Sequence, residues 1–249
     1  MPRFPDSRPV YNVESVIIVN YFAHGLRFLD RPYFLAGTAI PDWLSVADRR
    51  VRMRERLVIP FADASGTPQA EIAAGVLQHL HDDNWFHKTR GFAELTAEVA
   101  ALFRSVLGNE DGFRPGFLGH IATELLLDAA LISRGDDQLD RYYSVMSTVD
   151  PNMIEDVVNQ MAKNQTDRLA LVILAFRHVQ FLRDYVDSSR LLYRLNQVMS
   201  RVKLPGLPDE IEQVLETARQ LVKTQVHTLL PPEHFTYSFS HHSQSRSVE

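Results

Sequence analysis

Apolar residues recur along this chain at three- and four-residue intervals, the spacing that gives an α-helix one apolar face. Runs that alternate apolar and polar at every second position are scarce. The pattern predicts helices near 12–29, 34–56, 69–88, 91–107, 116–133, 136–148, 151–163, 166–186, 189–202 and 209–229. Helix-stopping residues fill the breaks: Asp63 to Pro68, Gly108 to Gly116, Asp150-Pro151, and Pro205-Gly206-Leu207-Pro208 before Asp209 as a cap. We expect an all-α fold, a single helical domain over 10–230. The serine-rich segment 231–249 is expected to be a flexible tail.

Composition narrows the class. With 45% hydrophobic and 23% charged residues in 249, the chain reads as a soluble globular protein. Its net charge is −5, and lysine plus arginine divide evenly, 13 in residues 1–132 and 13 after. That balance argues against a nucleic-acid binder, which needs a concentrated basic face. The first residues, Met1-Pro2-Arg3-Phe4-Pro5-Asp6, lack a signal-peptide apolar core. The longest apolar run, Leu169 to Phe176, is too short to span a bilayer and lies between Arg168 and Arg177. The expectation is a cytoplasmic protein with no membrane span.

Ten histidines and no cysteine change the picture further. Thiolate zinc sites, iron–sulfur clusters, disulfides and a cysteine nucleophile are excluded. A bound metal would need nitrogen and oxygen ligands. Five of the histidines fall between residues 24 and 120, each with acidic neighbours. His79, Asp83 and His87 are spaced by four, which stacks them on one helix face, and His120, Glu124 and Asp128 repeat the arrangement. Leu77, Leu80, Trp85 and Phe86 interleave the first ladder, and Ile121, Leu125, Leu126 and Leu127 the second. Such helices are apolar nearly all round, so the ladders are expected to face each other rather than water.

His24, in Asn20-Tyr-Phe-Ala-His24, and Asp42, in Gly37-Thr-Ala-Ile-Pro-Asp42-Trp43, also lie in apolar sequence. Buried ionisable groups are costly unless paired or metal-bound. Imidazole with carboxylate suits manganese, iron, zinc or magnesium, and the absence of thiolate fits a catalytic rather than a structural ion. His178 and His227 are single histidines on later helices, read as structural or surface groups. His241-His242 in the tail lack a fixed geometry.

The order Asn20-Tyr-Phe-Ala-His24, Gly37-x3-Pro-Asp42-Trp, Gly75-x3-His79-x3-Asp83-x3-His87 and Glu124-x3-Asp128 resembles the acyl-carrier-protein phosphodiesterase family over about residues 18–132. Those proteins are all-helical and distantly related to HD-domain phosphohydrolases. The resemblance implies an HD-like helical bundle, with the helices of 133–230 as additions. It implies a divalent metal, manganese foremost, held by His24, Asp42, His79 and Asp83, with Asp128 as a further carboxylate. It implies removal of 4′-phosphopantetheine from a holo carrier protein. The chain departs from the family pattern at His87 and Glu124, where the family has Asp, and at Ala129, where it has His.

In a hydrolase of this kind His87 and His120 are candidate general acids, and Glu124 is a candidate ligand or orienting group. Lys88 and Arg90 follow the first ladder and could contact phosphate. Arg49, Arg50, Arg52, Arg54 and Arg56 form a local basic patch able to meet an acidic carrier protein. The adjacent pair His81-Asp82 offers an alternative to the His79/Asp83 ladder, since it matches the HD signature. Other readings are a nucleotide or phospholipid phosphoesterase, and a non-catalytic helical binding protein with a vestigial metal site.

Overall fold

Side chains that the sequence supplies set several helix starts. Thr67, Thr89, Asp150 and Asp187 each accept a hydrogen bond from a first-turn N–H, at Ala70, Phe92, Asn152 and Arg190. Proline opens four helices, at Pro32, Pro68, Pro115 and Pro151, where no intrahelical N–H is needed, two of them directly after the Thr67 and Asp150 caps. In the computed structural model, which describes residues 20–63, 65–108, 111–135 and 137–232, these signals give an all-α fold with no strand among the described residues.

In chain order the helices are α1 (Tyr21–Gly25), α2 (Pro32–Ala47), α3 (Glu55–Val58), α4 (Pro68–Phe86), α5 (Arg90–Leu107), α6 (Pro115–Ile132), α7 (Gln138–Ser147), α8 (Pro151–Met161), α9 (Leu169–Val179), α10 (Ser188–Arg201) and α11 (Ile211–Leu229). Short 3-10 turns follow α1, α3 and α9. Most helices lie within two residues of their expected bounds.

Three expected helices are shorter or divided. The helix expected over 12–29 is, in its described part, only α1 and a 3-10 turn over Leu26–Phe28. The helix expected over 34–56 ends at Ala47. Asp48 turns extended there, and its carboxylate holds the Arg50 backbone N–H and guanidinium instead of continuing the helix. The helix expected over 166–186 breaks at Gln180, which adopts φ 49°. Beyond it a 3-10 turn inserts Phe181, Leu182 and Tyr185 into the core, where Phe181 meets Tyr21 and Phe176 edge-on. An unbroken helix would aim those rings elsewhere. The tail pair His241-His242 lies outside the described residues.

Two close helix crossings position the histidine ladders. Where α2 crosses α4, a Cβ at Gly75 would stand 2.1 Å from the Phe34 carbonyl oxygen, and one at Gly37 would stand 2.4 Å from that of Ile72. Only glycine permits that approach. Where α6 meets α5, a Cβ at Gly119 would stand 2.6 Å from the Thr96 carbonyl oxygen. Helix α6 is long and apolar enough by composition to cross a membrane, but 67% of it is buried inside the protein, packed against α5 and α11. It is the core helix, and its acidic residues Glu124 and Asp128 are 2% and 0% exposed.

Candidate metal centre

The glycine crossing of α2 and α4 brings His79 against α2. Its Nδ1 donates to the Thr38 carbonyl oxygen at 2.9 Å, which turns Nε2 toward the cluster. That Nε2 stands 3.6 Å from Asp83 Oδ2, one turn along α4. On the other side His24 from α1 presents Nε2 to Asp83 Oδ1 at 3.4 Å and Nδ1 to Asp82 Oδ2 at 3.7 Å. The two imidazoles stack with centroids 4.3 Å apart. Both Nε2 atoms therefore converge on one carboxylate, while both Nδ1 atoms face orienting groups. His24 Nε2 is buried and has no hydrogen-bond partner, and the same holds for Asp42 Oδ2.

The adjacent pair His81-Asp82 divides. His81 is exposed, whereas Asp82 is 4% exposed and paired with the Arg27 guanidinium and the Gln78 amide. Arg27 and Gln78 are additions to the expected site residues, and Asp82 joins the cluster without His81. One signal in the sequence marks two of them: Arg27 lies three positions after His24 and Asp82 three after His79, helical-neighbour spacings.

Charge in the cluster is strongly coupled. Burial opposes a proton on His24, but Asp82, Asp83 and Asp42 outweigh it and hold its pKa up at about 10. Burial pushes Asp83 upward, and His24 and His79 more than reverse this, so it stays well below the usual carboxylate range. Asp42 is raised to about 6 by burial, against the lowering fields of His79 and His24. Asp83 and Glu124 add to the rise.

A second triad lies further along the same ladder. His87 Nε2 is 2.8 Å and His120 Nε2 is 3.2 Å from the same atom, Glu124 Oε1. Glu124 is buried at the base, and the two imidazoles are about one-third exposed at the rim, 32% and 40%. Burial pushes Glu124 up, and His120 and His87 bring it below its usual value.

Asp128 stands behind the first triad rather than in either. Its two oxygens accept the backbone N–H groups of Ala23 and Phe22 at 2.7 and 2.9 Å. It thereby caps α1, whose N-terminal Asn20 makes no side-chain cap, and fixes the turn that carries His24. Burial pushes its pKa up to about 8 against those two bonds. Asp128→Ala strands two buried N–H donors and is expected to lower stability by about 2–3 kcal/mol, with Asn restoring part of it. Urea unfolding followed by circular dichroism measures this; a change under about 0.5 kcal/mol would show that the cap carries no weight.

Lys88 and Arg90 are exposed just past His87, and each is engaged locally, with Asn84 and with Glu94. Arg49, Arg50, Arg52, Arg54 and Arg56 are all exposed between α2 and the start of α3. Arg49 and Arg52, with Pro41, Ser45, Val51, Met53 and Val202, line a pocket of about 530 Å³. His178 and His227 are exposed and belong to neither triad.

No family model, no curated protein and no solved structure matches this chain. The donor set itself fits a metal. Ligand atoms bound at about 2.0 Å in a tetrahedral shell stand about 3.3 Å apart. In the His24–His79–Asp83 triad the 3.4 and 3.6 Å separations, one to each oxygen of Asp83, lie near that edge and beyond the usual hydrogen-bond length.

Proposed function

We propose that this protein is a divalent-metal-dependent phosphohydrolase acting on a phosphodiester. The observation that carries the reading is the convergence of two buried imidazole Nε2 atoms on Asp83 at ligand-edge spacing, with His24 Nε2 left without a hydrogen bond. His24, His79 and Asp83 would hold the ion; Asp42, expected as a ligand, lies outside that close group and acts on it through its buried charge. A divalent ion, when bound, supplies Lewis acidity toward a phosphoryl oxygen and a nucleophile at neutral pH.

The chain's own groups prepare that site. Thr38 and Asp82 orient the two imidazoles, and Arg27 and Gln78 hold Asp82 in place. The resemblance to acyl-carrier-protein phosphodiesterases supports a holo carrier protein as substrate and manganese as the metal. The exposed arginines of 49–56 suit an acidic partner of that kind. Elemental analysis of the purified protein, followed by incubation with manganese and holo carrier protein, tests the reading. Loss of the pantetheine arm by mass is the expected result. Cleavage of a bis-aryl phosphate without that loss moves the substrate to a nucleotide or phospholipid ester. Failure to bind any divalent metal after reconstitution ends the enzyme reading and favours a non-catalytic helical binding protein.

The pH dependence of metal uptake follows from His24. With its pKa held up at about 10, His24 carries a proton at neutral pH, and an ion on Nε2 must displace it. Affinity is therefore expected to rise about tenfold per pH unit above neutrality, with about one proton released per ion from this group. Titration calorimetry in two buffers of different ionisation enthalpy measures the release. A Kd that stays flat between pH 6.5 and 8.5 would remove His24 from the ligand set.

A further inference from the structure

We infer that His87, His120 and Glu124 form a second divalent-metal site, open at the rim, so that the chain takes two ions. The inference deepens the metal-dependent reading and rests on it for the chemistry, but its ion count is independent of any activity.

The two rim imidazoles turn their Nε2 atoms inward. A general acid must aim its N–H at the atom it protonates. Here both Nε2 atoms aim inward at the same Glu124 oxygen, at 2.8 and 3.2 Å, with ring centroids 4.9 Å apart. One carboxylate oxygen between two imidazoles is a poor proton relay, because charging both rings sets two like charges face to face. A single divalent ion resolves both problems, since it takes one lone pair from each ring and neutralises the buried carboxylate. Reaching the tetrahedral ligand edge requires the shorter contact to open by only about half an ångström. The partly exposed rings leave an open coordination position, as a three-ligand His–His–Glu set in a catalytic site would have.

Position on the ladder separates the two sites. His79 and Asp83 serve the deep triad, and His87, one turn on, serves the rim. The rim triad also includes His87 and Glu124, two of the positions where the chain departs from the acyl-carrier-protein phosphodiesterase pattern. Two imidazoles with one carboxylate favour zinc, cobalt or iron over magnesium.

The test counts ions. Metal-stripped full-length chain is loaded with Co2+, freed of excess and analysed for cobalt, with visible absorption recorded. All proteins carry His234→Ala, His241→Ala and His242→Ala, so that tail histidines contribute nothing. Two ions per chain are expected, falling to one in His120→Ala and in Glu124→Gln, and to one in Asp83→Ala. His120 lies at the rim, so its alanine variant is expected to keep the wild-type circular dichroism spectrum. A reference protein that takes one ion, lost in Asp83→Ala and kept in His120→Ala, overturns the second site and leaves the proposed function standing. Two ions retained in both rim variants overturn it equally. A protein that takes no ion overturns both readings.

Discussion

Replacing Asp83 with alanine is expected to abolish binding at the deep site, and hydrolysis with it, while leaving far-UV helicity at the wild-type level. Asp83 is the one side chain that both buried Nε2 atoms face, so its removal leaves two imidazoles with no anion between them. Loss of an orienting partner alone weakens metal affinity by about 10–100-fold, and loss of a ligand exceeds that. The expected fall is therefore more than about a hundredfold in affinity and in turnover at fixed metal. The helix should survive, because Asp83 sits on α4 with a side chain 38% exposed and caps nothing. Asp83→Asn separates charge from shape: it keeps the volume, loses the anion and should behave like alanine. Full hydrolytic activity in Asp83→Ala would remove the ladder from the reaction.

Gly75→Ala is expected to have the largest effect on stability. The added methyl meets the Phe34 carbonyl oxygen at 2.1 Å and the Gly37 Cα at 2.9 Å, and neither backbone atom can swing aside. Helices α2 and α4 must separate, at a cost of about 3 kcal/mol or more. For a chain of this length that corresponds to a fall in Tm of roughly 6–12 °C. Metal affinity should fall as well, because the His79–Thr38 bond spans the same crossing one turn away. Gly116→Ala is the matched control, since a Cβ there meets no atom within 4 Å. Calorimetry of the two variants decides the matter: a Gly75→Ala protein that melts within about 2 °C of wild type would show that the crossing yields.

Much of the architecture was legible from apolar spacing. Helices α4, α5, α6 and α8 start within two residues of expectation because threonine, aspartate and proline at their ends act locally, within one turn. The divisions at Asp48 and Gln180 were not legible. At Gln180 helix propensity is ordinary, and the break goes with the burial of Phe181, Leu182 and Tyr185, Phe181 packing against Tyr21 and Phe176. At Asp48 the local Arg50 contacts compete with continued helix, and a period-based reading cannot weigh them.

The site divides in the same way. Spacing alone placed His79, Asp83 and His87 on one face of the helix expected over 69–88, with His87 now the C-cap of α4, and His120 and Glu124 on one face of α6, because i, i+4 stacking is a property of any helix. Apolar flanks marked His24 and Asp42 as groups needing partners. Only the tertiary structure decided which ladder rungs meet. It paired His79 and Asp83 with His24, gave His87 to Glu124, and turned Asp128 back to cap α1. It also divided His81 from Asp82, leaving one in water and the other on Arg27. Sequence determines the face on which a side chain lies, since that is fixed by 3.6 residues per turn. Its partner depends on how closely and at what angle two helices cross, and here that is set by glycines 37, 75 and 119 acting across the fold.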